Sequence, residues 1–171
     1  MMGENDDLYL LTTDDGYGFV ARFEDMQTRL KAGKAVVNVN KGATLLRPQR
    51  VTNVESDWVA AATSEGKLLL FGVDELPVMA RGKGVQTIKV HRTPIAPEKV
   101  VSTAIVPSEA TLVVHAGKRY TNLKPSDLET YAGKRAQRGL KLPRGFQSVS
   151  LIRAWSEREG RGGNGGGDLV M

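Results

Sequence analysis

Basic side chains are the residues of this 171-residue sequence that indicate a function. Sixteen of the 24 Lys and Arg residues fall in three windows, residues 27–53, 77–97 and 130–156, with six, four and six basic residues respectively. None of the 19 Asp and Glu residues lies in these windows. Lys and Arg neutralise the phosphates of duplex nucleic acid, and glycines beside them let backbone N–H groups approach the same phosphates. With a net charge of +5, the windows predict a surface that binds a polyanion.

Other residue types give weaker signals for chemistry. The sequence has no cysteine, which excludes disulfides and thiolate metal sites, and its two histidines, His91 and His115, lack ligand-like spacing. Asp14 and Asp15 stand at a turn, where acidic residues usually shape the backbone. The segment 81–84 lacks the Gly-x-x-x-x-Gly-Lys-Ser/Thr pattern of a nucleotide-binding loop. The sequence therefore predicts neither a catalytic residue nor a metal site.

Aromatic residues help to choose between single-stranded and duplex nucleic acid. Proteins that bind single strands interleave stacking aromatics with basic residues. Here Tyr131 and Phe146 lie inside the basic windows, and Trp155 lies at the edge of one. This scarcity favours duplex DNA, bound through its phosphates without reading base sequence.

The elements that must position the basic windows are short strands arranged in repeats. Apolar runs rich in Val, Ile and Leu are broken by Gly, Asp or Pro, and the helix candidates are single turns. Gly16, Gly66 and Gly117, spaced by 50 and 51 residues, mark three hairpin turns. A period near 50 with about four strands per unit is typical of propeller-like blades. The predicted strands span residues 8–13, 18–23, 35–39, 58–63, 68–73, 85–90, 100–106, 111–115 and 119–123.

These strands define one domain, residues 1–155, with repeats at about 8–57, 58–107 and 108–155. Because equivalent positions of radial blades fall on one rim, the three basic windows are predicted to form a continuous band. Three blades rarely close a ring, so we expect the chain to be part of a larger pinwheel. The glycine-rich tail, residues 156–171, is predicted to be flexible. No apolar run is long enough to span a bilayer and residues 1–7 are acidic, which predicts a protein that is neither secreted nor membrane-embedded.

Several strings also resemble a known family. GYGFV at residues 16–20, RLKAGKAVVNV at 29–39, EGKLLLF at 65–71, RGKG at 81–84 and HAGKR at 115–119 resemble the C-terminal domain of the topoisomerase IV A chain, within the gyrase A and topoisomerase IV A family. The resemblance extends over about residues 8–155. It implies an all-β broken beta-pinwheel of about three four-stranded antiparallel blades that exchange strands, with duplex DNA bent along the basic rim.

The resemblance further implies a non-catalytic accessory domain of an ATP-hydrolysing type II topoisomerase, which helps to present the transported DNA segment for strand passage and decatenation. The cutting tyrosine belongs to another part of that enzyme, and no tyrosine here matches its motif. The chain itself is expected to need no cofactor, since ATP and Mg²⁺ act through other domains. The implied partners are duplex DNA and the B subunit of topoisomerase IV, and the implied location is the cytoplasm, with the chromosome. The residues predicted to bind DNA are Arg29, Lys31, Lys34, Lys41, Arg81, Lys83, Lys89, Lys118, Arg119, Lys134, Arg135, Arg138, Lys141 and Arg144.

Two alternatives remain at this point. The first is the C-terminal domain of the gyrase A protein, which wraps DNA tightly and carries a box reading QRRGGKG. The nearest strings here, MARGKG at 79–84 and AQRGLK at 136–141, are incomplete, which favours topoisomerase IV. The second is a protein-interaction propeller whose basic rim meets an acidic partner.

Overall fold

The computed structural model describes residues 7–155, where short antiparallel strands predominate. Residues 1–6 and the C-terminal segment 156–171, including the tail predicted to be flexible, lie outside the described residues. The helices are α1 (Phe23–Lys31) and the single turn α2 (Pro125–Leu128), with 3-10 turns at Val73–Glu75 and Glu129–Tyr131. The strands are β1 (Leu8–Thr12), β2 (Tyr17–Arg22), β3 (Gln49–Val51), β4 (Trp58–Thr63), β5 (Lys67–Gly72), β6 (Val85–Gln86), β7 (Val100–Val106), β8 (Thr111–Ala116), β9 (Arg119–Leu123), β10 (Leu140–Lys141) and β11 (Leu151–Trp155).

These strands form three antiparallel sheets that share strands between repeats. The strand orders are β3-β1-β2-β6, β10-β5-β4-β7 and β11-β8-β9. In each of the first two sheets one of the two edge strands comes from the following repeat: β6 in the first sheet and β10 in the second. The third sheet has three strands within residues 7–155 instead of the predicted four, because this part of the chain contains no later repeat to supply one.

The core lies between the sheets, and β4 contributes to two parts of it. Because successive side chains of a strand point to opposite faces, Val59 and Ala61 pack into the cluster shared with the first sheet, whereas Ala60 and Ala62 pack into the cluster shared with the third. All four residues are fully buried. This two-sided burial explains why β4 reads as a continuous apolar run and fixes the stacking of the blades.

The hairpin turns adopt the backbone that the glycines predicted. Gly16, Gly66 and Gly117 have φ values of 90°, 78° and 65°, a left-handed region that residues with a side chain seldom occupy. The glycine-based turn predictions are therefore confirmed. Because the same turn recurs in each sheet, the segments that follow the three hairpins are placed in comparable positions.

Local predictions were wrong at several places, among them residues 85–90, where the strand ends at Gln86. The segment Phe23–Lys31 is a nine-residue helix rather than a single turn; it buries Phe23 and Met26 and carries acidic residues in its first turn and basic residues in its last. The strand predicted over residues 35–39 is reduced to one bridge between Val37 and Gly82. The partner segment cannot extend the ladder because Gly82 and Gly84 have φ values of 132° and 83°. Among residues 7–155, no helix has the length and apolar character needed to cross a bilayer.

Candidate nucleic-acid interface

Part of the first basic window folds against the tip of the β1–β2 hairpin. The backbone N–H of Asp14 donates to the carbonyl oxygen of Thr44 at 3.0 Å, and the N–H of Thr44 donates to Asp14 Oδ1 at 2.9 Å. Asn40 Nδ2 donates to Asp15 Oδ2 at 2.6 Å. These three bonds hold the loop that carries Lys41 beside the hairpin, with the lysine side chain exposed.

Tyr17, the first residue of β2, organises the basic residues at this end of the sheet. The ammonium group of Lys83 lies 4.5 Å from the centroid of the tyrosine ring, and the Arg92 guanidinium carbon lies 5.8 Å from it. Arg92 Nη2 also donates to the Tyr17 hydroxyl at 3.3 Å. Cation–π contacts of this kind fix the position of charges that would otherwise move freely. Together with Lys41 and Lys99, these two residues line a single groove around Tyr17.

Carboxylates also line this groove. The folded chain brings acidic residues from outside the basic windows next to the basic residues. Asp14 is 9% exposed and its Oδ2 lies 3.9 Å from Lys99 Nζ; Glu98 is 2% exposed. Asp15 accepts hydrogen bonds from Asn40 and from the Thr13 hydroxyl. The carboxylate oxygens are therefore engaged within the protein, whereas three of the four cations of the groove are exposed to solvent.

The first and second basic windows are joined by backbone hydrogen bonds. The N–H of Asn38 donates to the Gly82 carbonyl at 2.8 Å, and the N–H of Gly82 donates to the Val36 carbonyl at 3.0 Å. The contact brings the stretch after Lys34 alongside the stretch that contains Arg81. Both of these basic side chains are exposed.

The second and third windows are joined in the same way. The N–H of Ala136 donates to the Thr87 carbonyl, and the N–H of Lys89 donates to the Gln137 carbonyl, each at 2.8 Å. Lys89 and Arg138 line one shared depression. The three windows, far apart in sequence, therefore form one contiguous series of segments. We call this series the basic band and define it by residues 34–44, 81–92 and 134–141.

Two of the arginines predicted to bind DNA hold the protein backbone. Arg29 Nε donates to the Ala35 carbonyl at 2.7 Å, which fixes the loop after α1. Arg135 Nη1 donates to the Gln86 carbonyl at 2.7 Å, across the junction between the second and third windows. These bonds give both residues a structural role.

The remaining predicted residues are exposed, but the structure groups only some of them. The Arg119 side chain approaches Gly145, the residue that follows Arg144. A Cβ added at Gly145 would lie 3.2 Å from Arg119 Nη1. Lys141 lies opposite Lys67 across β10 and β5, and the Lys67 ammonium group lies 3.8 Å from Glu65 Oε1, which offsets the repulsion between the two like charges. The other exposed members of the set are Lys31, Lys34 and Arg81 near the first junction, Lys118 at the third hairpin, and Lys134 before the second junction.

Arg92 and Lys99 line the groove around Tyr17 but were not among the residues predicted to bind DNA. Arg92 lies inside the second window, so its charge was a usable signal. Lys99 follows an acidic residue, so it did not stand out from its neighbours. It reaches the groove because the second repeat folds against the β1–β2 hairpin of the first.

His115 adds no positive charge to the third hairpin. Burial, and then the charge of Arg153, lower the pKa of the His115 imidazole below its ordinary value of 6.5. Arg153 Nε donates to His115 Nε2 at 3.2 Å, which requires a neutral ring. Burial, and then the charge of Asp127, raise the pKa of the Tyr131 phenol above its ordinary value of 10.0.

Comparisons with known proteins match this architecture. The family model described as DNA gyrase C-terminal domain, beta-propeller, matches residues 57–107. The A chain of DNA topoisomerase 4 from Pseudomonas aeruginosa is 46% identical over 154 residues, which cover 89% of this chain and 20% of that protein. The structure of the E. coli ParC C-terminal domain superposes with a TM-score of 0.76 at 32% identity, over 91% of this chain and 63% of the other. A DNA gyrase A C-terminal domain has the same fold, with a TM-score of 0.69 at 21% identity over 90% and 50% of the two chains.

The chain therefore belongs to the family of C-terminal β-propeller domains of the gyrase A and topoisomerase IV A proteins, as the resemblance predicted. It spans about a fifth of the length of the curated relatives it matches. The family and the all-β fold class are both confirmed. The matched region is the C-terminal domain, and not the catalytic part, of a type II topoisomerase.

Proposed function

We propose that this chain binds duplex DNA without base specificity and bends it along the basic band, as the C-terminal domain of a topoisomerase IV A protein. The observation that carries the proposal is the series of backbone hydrogen bonds that joins the three basic windows. Those bonds convert separate runs of charge into one track. A track of Lys and Arg suits the regular phosphates of a duplex, and no set of side chains arranged to read base edges is needed for it.

The groove around Tyr17 supports duplex DNA as the ligand. Lys83 and Arg92 are held by contacts with the tyrosine ring and hydroxyl, while Asp14 and Asp15 accept hydrogen bonds within the protein. The basic side chains therefore face solvent in positions that need to change little when DNA binds. Because the band passes over two blade junctions, DNA that follows it would have to curve, which is the basis for the proposed bending.

The assignment to topoisomerase IV rather than gyrase is supported by the names of the relatives, which at 46% and 36% identity are the A chains of DNA topoisomerase 4. In the full-length protein the domain would help to present the transported segment for ATP-dependent strand passage and decatenation. ATP and Mg²⁺ would act through other domains, and the B subunit of topoisomerase IV would be the protein partner. We place the protein in the cytoplasm, with the chromosome.

A salt titration of DNA binding tests the proposal. The affinity for a labelled duplex, measured by fluorescence anisotropy, should fall with salt with a log–log slope of about −0.9 for each phosphate neutralised. Duplexes of scrambled sequence should bind equally well, and energy transfer between dyes at the two ends should rise when the protein bends the DNA. An affinity that salt leaves unchanged would contradict phosphate binding and would favour a protein partner.

Charge reversal locates the interaction on the band. The double variant Arg81→Glu with Lys83→Glu should weaken binding and make the salt slope shallower by about 2, since two phosphate contacts are lost. The matched control is Arg22→Glu with Lys124→Glu, which changes the net charge equally at exposed positions outside the windows. Lys83 contributes a cation–π contact, so the free energy of unfolding should fall by no more than about 1 kcal/mol. Equal DNA affinity in the two double variants would refute the assignment to the band.

A further inference from the structure

We propose that Glu65, His91 and Glu98 form a binding site for a divalent first-row transition-metal ion, with Zn²⁺ as the best match. One ligand atom from each residue lies within 4.8 Å of the other two. His91 Nδ1 lies 3.0 and 3.2 Å from the two oxygens of Glu65 and 4.0 Å from Glu98 Oε1. An ion among atoms so spaced reaches metal–ligand distances of about 2.1 Å after small side-chain movements.

The fold holds the three ligands from two different elements. Glu65 lies in the turn between β4 and β5, whereas His91 and Glu98 lie in the loop between β6 and β7. That loop is closed at its base: the N–H of Glu98 donates to the His91 carbonyl and the N–H of His91 donates to Glu98 Oε1, both at 2.9 Å. His91 and Glu98 are therefore held together before any ion binds. The separation of 26 residues between Glu65 and His91 explains why sequence spacing gave no sign of the site.

The charge of Glu98 is a second, independent reason to expect a cation. Its side chain is fully buried, and Thr63 Oγ1 donates to its Oε2 at 2.6 Å. Among the described residues, the one basic group within 4.0 Å of this carboxylate is His91 Nδ1. A buried carboxylate is costly unless a positive charge compensates it. A metal ion held by His91 Nδ1 and the two carboxylates supplies that charge.

The donor set indicates which ions fit. One imidazole nitrogen with two carboxylate oxygens suits Zn²⁺ and related ions, while Mg²⁺ and Ca²⁺ prefer oxygen ligands alone. The chain contains no cysteine that could compete for a thiophilic ion. His91 and Glu98 also line the groove around Tyr17, so the site is open to entry and to water that completes the coordination shell.

Metal binding at this site would fix the loop that carries Arg92 and Lys99 and would cancel acidic charge beside them. The inference concerns binding of the ion by the protein alone. It is therefore tested without DNA, and it stands or falls separately from the proposed DNA binding.

The two histidines make a direct test possible in the 171-residue chain. After dialysis against a chelator, ZnCl₂ is titrated while the two imidazole ring signals are followed by NMR, with His115→Asn used to assign them. The His91 signal should shift and saturate at one equivalent of Zn²⁺, and the His115 signal should stay in place. No shift of the His91 signal at about a tenfold molar excess of Zn²⁺, or equal shifts of both signals, would overturn the proposal.

A matched pair of variants identifies the carboxylate ligand. Glu65→Gln removes a ligand at a partly exposed position, so the fold should persist; Glu24→Gln makes the same change on exposed α1. Loss of an outer-shell partner costs about 10–100-fold in metal affinity, so Glu65→Gln should cost at least about tenfold by isothermal titration calorimetry. The Glu24→Gln variant should bind Zn²⁺ like the wild type. Equal affinities in the two variants would show that Glu65 is not a ligand and would contradict the three-residue site.

Discussion

Replacing Gly84 by alanine should disrupt the exchange of a strand between the first two sheets. Gly84 directly precedes β6, the short strand that the second repeat adds to β2. A Cβ at this position would lie 2.1 Å from the carbonyl oxygen of Gly18 and 2.5 Å from its carbonyl carbon. The atoms in the way are backbone, so no side-chain rotation relieves the contact. Either β6 moves away from β2 or both strands distort.

The expected cost follows from two contributions. The backbone of Gly84 has a φ of 83°, and a residue with a Cβ in that region costs about 1–2 kcal/mol. Forcing extra atoms into a packed site typically costs a further 1–3 kcal/mol, roughly. The free energy of unfolding should therefore fall by about 2–5 kcal/mol, a large part of the 5–15 kcal/mol, roughly, that stabilises a typical domain.

Urea denaturation followed by circular dichroism measures this loss, and two other glycines calibrate it. Gly117 has a φ of 65° with nothing within 4 Å of an added Cβ, so Gly117→Ala should cost only the backbone contribution of about 1–2 kcal/mol. Gly139, which precedes the second exchanged strand, would place a Cβ 2.7 Å from the Leu68 carbonyl oxygen and should fall in between. If Gly84→Ala and Gly117→Ala lost the same stability within about 0.5 kcal/mol, close approach of β6 to β2 would be refuted as the reason for glycine.

Three further predictions concern single side chains. Asp57→Ala should lower the free energy of unfolding by about 1–3 kcal/mol, because the buried carboxylate accepts the amides of Thr52 and Asn53 at 2.7 and 2.8 Å; a thermal melt unchanged from wild type would contradict this. Since folding lowers the pKa of His115, the stability it contributes is present above the unfolded value of 6.5 and is lost as pH falls through the folded pKa. The melting temperature of His115→Gln should accordingly fall less than that of wild type on acidification, and parallel curves would exclude the effect. Tyr17→Ala should weaken duplex binding more than Tyr17→Phe, because phenylalanine keeps the ring on which two cations pack; equal anisotropy titrations would show that the ring does not organise them.

Sequence patterns predicted the parts of the fold that depend on local chemistry. Glycine marks the three hairpin turns because the backbone there needs a positive φ, and the long apolar strands β4 and β7 have the predicted bounds because both are buried. Strands β3 and β10 were missed because two or three residues are too few to set an alternating pattern, and the five-residue strand β11 was missed as well. The segment predicted as a strand over residues 85–90 leaves the sheet after Gln86, where Thr87 bonds to the Gly16 carbonyl.

The candidate site divides in the same way. Charge alone identified the windows, and therefore most of the exposed cations of the basic band. It could not indicate that Tyr17 of one repeat holds Lys83 and Arg92 of the next, because that contact exists only once the strands are exchanged. The Glu65–His91 contact was hidden for the same reason.

The donation of β6 and β10 to the preceding sheets means that the structural units of this domain do not coincide with its sequence repeats. Cleaving the backbone between the first two repeats, after Asp57, would separate the first sheet from the outer strand that completes it. Each sheet thus depends on the chain that follows it, and loss of order in one would expose the edge of its predecessor. Excising a repeat cleanly would require cuts displaced toward the C-terminus, beyond the short strand that each repeat lends to its neighbour.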